Sequence, residues 1–166
     1  MSSRGFTVRE LTRADRAWVS ELLVERWGVR EVVSRGRLRD ASELPGFAAF
    51  DGGRPIGLVT YAVEGDSCEL VTLDSLAEGA GVGTALVEAT AGAARAAGCS
   101  RLWVITTNDN LPALGFYQEQ GFRLLAVHRD ALEESRRLKP SIPLVGRDGI
   151  PLRDELELEL ELAADP

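Results

Sequence analysis

Lysine is almost missing from this chain: Lys139 is the only one, and arginine makes up the rest of 19 basic side chains. Against 26 acidic residues this leaves a net charge of −7, so the positive footprint that a phosphate backbone needs is absent and no nucleic-acid partner is expected. Cysteine is scarce too. Cys68 and Cys99 lack metal-ligand spacing and read as small core residues in a reducing compartment. No apolar stretch approaches the ~20 residues of a membrane span, and Met1-Ser2-Ser3-Arg4-Gly5 runs into a strand-like segment without a signal pattern, so the expectation is a cytoplasmic protein with no membrane partner. The one histidine, His128, ends an apolar run beside Arg129, which suits a surface position better than a catalytic one.

What is present is ordinary for a globular protein: 166 residues, 45% hydrophobic and 27% charged. That length predicts one domain, residues 1–166, burying roughly 70% of the surface of its unfolded chain. Residues 6–11 alternate as a first strand. Thr12 with Asp15 forms a capping box for a helix ending near Trp27, with Trp18 and Leu22, joined by Val19 and Leu23, as its inner stripe. Residues 28–44, broken by Gly36 and dense in arginine, read as a short second helix and a loop. Three antiparallel strands follow, at residues 46–50, 56–64 and 68–75, turned at Asp51-Gly52-Gly53-Arg54 and at Gly65-Asp66. An alanine-rich helix over 84–97 stops on Gly98, a buried strand spans 101–106, and Asn110 caps a helix that ends at Gly121. A strand over 122–127 precedes a proline-broken loop, with one helical turn at 132–138. Residues 155–162 then alternate strictly between glutamate and leucine, a strand with a solvated acidic face and a core face. The order predicts an α/β (α+β) fold: a mixed, mostly antiparallel sheet of about seven strands with helices on both faces.

Two segments carry the chemistry. Glu78-Gly79-Ala80-Gly81-Val82-Gly83-Thr84 joins a strand to a helix, and its glycines let successive N–H groups and the positive helix end converge on one point, which suits a diphosphate. The dinucleotide-binding template fails here, because Thr84 or Leu86 stands where its third glycine belongs; the Gly-Lys-Ser/Thr of nucleotide hydrolases is absent. Farther on, Asn110-Leu111-Pro112-Ala113-Leu114-Gly115-Phe116-Tyr117 opens a helix that ends at Gly121-Phe122.

In this order the two segments resemble the GCN5-related N-acetyltransferase superfamily, strongly over residues 68–122 and thinly at both ends. The resemblance implies a GNAT-like acyl-CoA N-acyltransferase fold and transfer of an acetyl group from acetyl-CoA, as co-substrate, to a primary amine by direct attack in a ternary complex. It implies cofactor binding by Leu73, Ser75, Gly79, Ala80, Gly81, Val82, Gly83, Thr84, Asn110, Ala113 and Tyr117. Glu78 departs from the usual glutamine or arginine and Ala80 from a frequent basic residue, which shifts the work to backbone amides, the Thr84 hydroxyl and the helix dipole. The resemblance also makes Tyr117 the acid that protonates the leaving thiolate. A phenol near ~10 can hydrogen-bond a thiolate whose conjugate acid lies near ~8.5.

Glu69 is the candidate base. On its strand it shares a face with Val71 and Leu73, and burial there would raise its pKa. A paired structural carboxylate is the competing reading; some relatives use water alone, and Asp74 is a weaker alternative. Trp27, Arg30, Ser34 and Arg35 fall where similar enzymes border the acceptor pocket. No metal is expected. The partner would be a small-molecule or peptide amine, and a homodimer is compatible with the resemblance. A non-catalytic acetyl-CoA-binding sensor or interaction module stays open beside the enzyme.

Overall fold

The computed structural model describes residues 5–163; residues 1–4, where a signal pattern was looked for, lie outside it. The chain runs β1 (Thr7–Glu10), α1 (Arg16–Trp27), β2 (Glu31–Ser34), β3 (Arg37–Asp40), β4 (Gly46–Asp51), β5 (Arg54–Glu64), β6 (Ser67–Ser75), α2 (Val82–Ala96), β7 (Arg101–Thr107), α3 (Leu111–Glu119), β8 (Arg123–His128), α4 (Ala131–Leu138) and β9 (Glu155–Glu161). Seven strands form one sheet in the order β1-β4-β5-β6-β7-β9-β8, and β2-β3 is a separate hairpin. Only the β6–β7 pair is parallel, so the mixed, mostly antiparallel sheet expected from the sequence is what forms.

Strand alternation feeds two cores. Val59, Leu70, Leu102 and Leu158 pack with Leu86 of α2 and Tyr117 of α3 on one face. Leu58 meets Val19 and Leu23 of α1 on the other. The inner stripe of α1 is therefore Val19 and Leu23, with Trp18 and Leu22 only half-buried. The Thr12–Asp15 capping box is present, closing a short 3-10 turn that leads into α1. Arg9 donates to Asp15 at 2.8 and 2.9 Å, and the Trp18 indole adds a bond at 2.8 Å.

Two expectations are corrected. Within residues 28–44 the chain forms the hairpin β2-β3 and then a single 3-10 turn at Ala41–Glu43 in place of the expected helix, because Arg35 and Gly36 both adopt left-handed φ (49° and 74°), which turns the chain in two residues and matches strand twist. The acidic side of β9 is not a solvated face. The strand lies between β7 and β8; Glu155 is 2% exposed, and Glu157 pairs with Arg101 and His128. His128 thus ends β8 as a partner of Glu157, at 2.9 Å.

Candidate active site

β6 and β7 pair only over Ser67–Leu70 and Arg101–Val104, then part. The cause lies in β6: Thr60 faces Thr72 while Tyr61 faces Leu70, so Val71 is an extra residue in the ladder. This bulge changes which side chains share a face. Glu69, Val71 and Leu73 were expected together, but Leu73 turns toward the α2 core with Leu70, while Asp74 joins Glu69 on the side of α1 and the hairpin. Beyond Leu70 no strand of the described chain covers the β7 side of residues 71–75.

The gap holds a cleft of about 550 Å³ walled by Leu73 and Asp74 of β6, Val104 and Thr106 of β7, and Asn110 and Tyr117 of α3. Tyr117 is 7% exposed, its ring held edge-on between Phe116 and Phe122. Burial, reinforced by the Asp74 charge, pushes its pKa well above the ordinary phenol range, so it stays protonated. Asp74 accepts from the Trp27 indole at 3.0 Å and lies 3.6 Å from Arg26. Burial raises its pKa, partly offset by Trp27 and Arg26.

A second cavity of about 120 Å³ continues from the first, sharing Trp27, Val71, Ile105, Thr106 and Asn110 with it. It lies under the hairpin and α4, where Ser34 and Leu132 join Glu69 and Glu155 in its wall. Glu69 is 3% exposed. Burial raises its pKa, against Ser34 and against the Arg39 guanidinium, whose Nε is 3.4 Å away. Ser34 stands near enough to favour the ionised carboxylate, but makes no hydrogen bond of good geometry with it. Glu155 receives the Arg35 backbone N–H at 3.3 Å and its Nη1 at 3.1 Å, tying the hairpin to the sheet.

Just past the cleft residues Leu73 and Asp74, β6 ends at Ser75 and the glycine turn follows. Gly79 and Gly81 take φ of 75° and 80°, and Gly81 starts α2 with no side-chain cap, so the first-turn amides lack an intrahelical acceptor. A Cβ on Gly83 would lie 3.1 Å from the Phe116 ring, so this glycine serves close packing of α2 on α3. The Thr84 hydroxyl accepts from Gln120 at 3.0 Å, which leaves its own proton to donate. Asn110 caps α3 by accepting from the Ala113 N–H at 3.3 Å, its amide nitrogen remaining available.

A profile described as the acetyltransferase (GNAT) family matches residues 10–122. The chain belongs to this family. The uncharacterized protein YdhI of Bacillus subtilis (strain 168) is 42% identical over 139 residues, 83% of this chain and 87% of its own. Among solved structures, a Bacillus subtilis acetyltransferase in complex with CoA aligns with a TM-score of 0.64 at 21% identity, covering 95% of this chain and 98% of the other. YncA of Salmonella typhimurium, a putative acetyltransferase with its cofactor acetyl-CoA, gives 0.68 at 16% identity, covering 97% and 96%. At these identities the structural likeness speaks for the fold.

In this GNAT protein the cleft brings together Leu73, Asn110, Ala113 and Tyr117, and Glu69, Ser34 and Trp27 line the adjoining chamber. Ser75 pairs with Gly57 at the end of β6, just before the turn. Arg35 is committed to Glu155, and Arg30 lines neither cavity; its carbonyl accepts the Ala41 N–H. Sequence reading missed Thr106, Glu155 and Arg39 as neighbours of the chamber and Arg147 at the cleft. Thr106 carried a signal, since it is a hydroxyl in the inward register of a buried strand. Arg147 opens a 3-10 turn (Arg147–Gly149) in the loop after α4, where Asp109 accepts its N–H at 2.9 Å and its own carbonyl accepts the Ile150 N–H at 3.0 Å. Among the described residues no cluster of three or more His, Cys, Asp or Glu is placed to hold a metal, and no helix is long and apolar enough to cross a membrane.

Proposed function

We propose that this GNAT acetyltransferase is an N-acetyltransferase that moves the acetyl group of acetyl-CoA to a primary amine by direct attack in a ternary complex. The observation that carries the reading is the parted β6–β7 edge, with a buried, protonated Tyr117 in the cleft wall and the uncapped start of α2 following β6 along the chain. The amides from Gly79 to Thr84, including Ala80 and Val82, would hold the diphosphate with the helix dipole behind them. The uncovered β6 edge would pair with pantetheine through the main chain of Leu73 and Ser75, with Asn110 adding a contact and Ala113 close approach. A backbone N–H at Leu73 would polarise the thioester carbonyl.

In the reaction the ammonium loses a proton, its nitrogen attacks the carbonyl carbon, and the C–S bond breaks. The departing sulfur takes a proton from Tyr117, and the second proton that the nitrogen sheds as the amide forms restores the phenol. Glu69 lies four residues from Leu73, about 13 Å along the strand, so it would act through water. Asp74, adjacent to Leu73 and next to Tyr117, is the second carboxylate to test. The family match favours turnover over the sensor reading.

The deciding experiment incubates the protein with acetyl-CoA and an amine panel while free thiol and acetylated product are followed. Heat of acetyl-CoA binding with no thiol released from any amine would replace the enzyme with the sensor. No heat at all would remove both.

A further inference from the structure

Two buried hydroxyls in this protein have no hydrogen-bond partner among the described residues, Ser34 Oγ and Thr106 Oγ1, and both line the same chamber. They come from separate elements, β2 and β7, and their residues are 5% and 6% exposed. A buried hydroxyl left unpaired is unfavourable, so two of them lining one cavity signal a polar occupant. The charges that touch the cavity are the carboxylates of Glu69 and Glu155. Their counter-cations stand behind the wall and are engaged, Arg35 with Glu155 and Arg39 with Glu64 and Glu69. An occupant therefore meets a negatively charged wall whose two hydroxyls can accept a hydrogen bond from it. The rest of the wall is mostly apolar, from Val33, Val71, Ile105 and Leu132, with Thr107 and Asn110 as its other polar residues, and the volume of about 120 Å³ admits only a short body.

We propose that this chamber receives a primary ammonium on a short, otherwise uncharged aliphatic chain, with the Thr106 hydroxyl as its direct hydrogen-bond partner and Glu69 and Ser34 reached through water. The inference rests on the amine-acetylation reading and names its acceptor class. An acceptor whose own carboxylate must enter the chamber is excluded by Glu69 and Glu155, because a second anion there finds no free cation in the wall. Thr106 also lines the cleft, so an ammonium held by its hydroxyl sits where the two cavities meet.

The test titrates CoA-loaded protein with n-butylammonium, butyrate and n-butanol by NMR, alongside thiol-release assays with n-butylamine and 4-aminobutanoate. Butylammonium is expected to bind and butyrate not. The double variant Ser34→Ala with Thr106→Val should weaken butylammonium binding roughly tenfold or more, the loss of about one charge-assisted hydrogen bond. Thr106→Ser should keep most of it. Thr106→Val alone removes a hydroxyl that has no partner in the empty chamber, so this variant should melt no lower than the parent, whereas a structural role would lower its Tm. Equal binding of butyrate, a preference for 4-aminobutanoate, or unchanged affinity in the double variant would overturn the inference and leave amine acetylation standing. Butylammonium binding without thiol release from any amine would do the reverse. No binding of butylammonium at all would mean that water alone fills the chamber, and would overturn the inference.

Discussion

At the residue scale, Tyr117 and Glu69 divide the proton work differently because their surroundings differ. Tyr117 sits among aromatic rings beside a carboxylate, so only its neutral form is comfortable. Tyr117→Phe keeps those ring contacts and removes the hydroxyl. It should lower kcat by about 10²-fold or more while the calorimetric Kd for acetyl-CoA stays within a few-fold. Glu69 must be ionised to accept a proton, and burial raises its pKa, so activity should fall as pH drops through a value above the ordinary ~4.3 of a glutamate. Glu69→Gln should abolish that acidic limb in a pH–rate profile. If Asp74→Asn removes the limb instead, the base is Asp74. Tyr117 was legible through the family resemblance, because the whole Asn110–Tyr117 motif lies within one short stretch of sequence. The place of Asp74 was hidden, because the Val71 bulge reverses the alternation that sequence reading extends along a strand.

Asp15 shows how a cap connects an element to its neighbours. Hydrogen bonds from Arg9, against the cost of burial and aided by Thr12 and Trp18, hold its carboxyl well below the usual carboxylate range. A depressed folded pKa stabilises fully above the unfolded value near ~3.9, and the contribution is lost as pH falls below it. Asp15→Ala should therefore cost about 2 kcal/mol at pH 7, with the difference in Tm from the parent shrinking progressively below about pH 4. At the other functional helix, Gly81 has φ of 80° and open space where a Cβ would go, so its substitution strains backbone alone. Gly81→Ala should cost about 1–2 kcal/mol in denaturant unfolding and weaken acetyl-CoA binding, because the amides of the turn shift together. The cap, the helices of the two motif segments and the strands on either side of the turn were readable from local chemistry. The β2-β3 hairpin was not: Arg35-Gly36 is an unusual two-residue turn, and the arginines around it resemble a solvated helix until Glu155, Glu64 and Glu69 supply their partners.

Across the whole molecule, the chamber exists because distant segments meet over the β6–β7 gap. Glu155 joins the sheet to the hairpin through Arg35, 120 residues away in sequence. Arg35 stays 39% exposed, so weakening this pair should cost about 1–2 kcal/mol, less than breaking a fully buried one. Glu155→Gln should speed amide hydrogen exchange in residues 32–38 and raise KM for the amine several-fold, with the acetyl-CoA Kd unchanged. The sequence by itself determined the hairpin-linked strands from residue 46 to 75, the glycine turn and the Asn110–Tyr117 helix, because each depends on contacts a few residues apart. Only the tertiary structure decided the bulge at Val71, the burial of Glu155 and the meeting of Ser34 with Thr106. Those depend on which distant strands lie side by side, and residue spacing along the chain carries no measure of that.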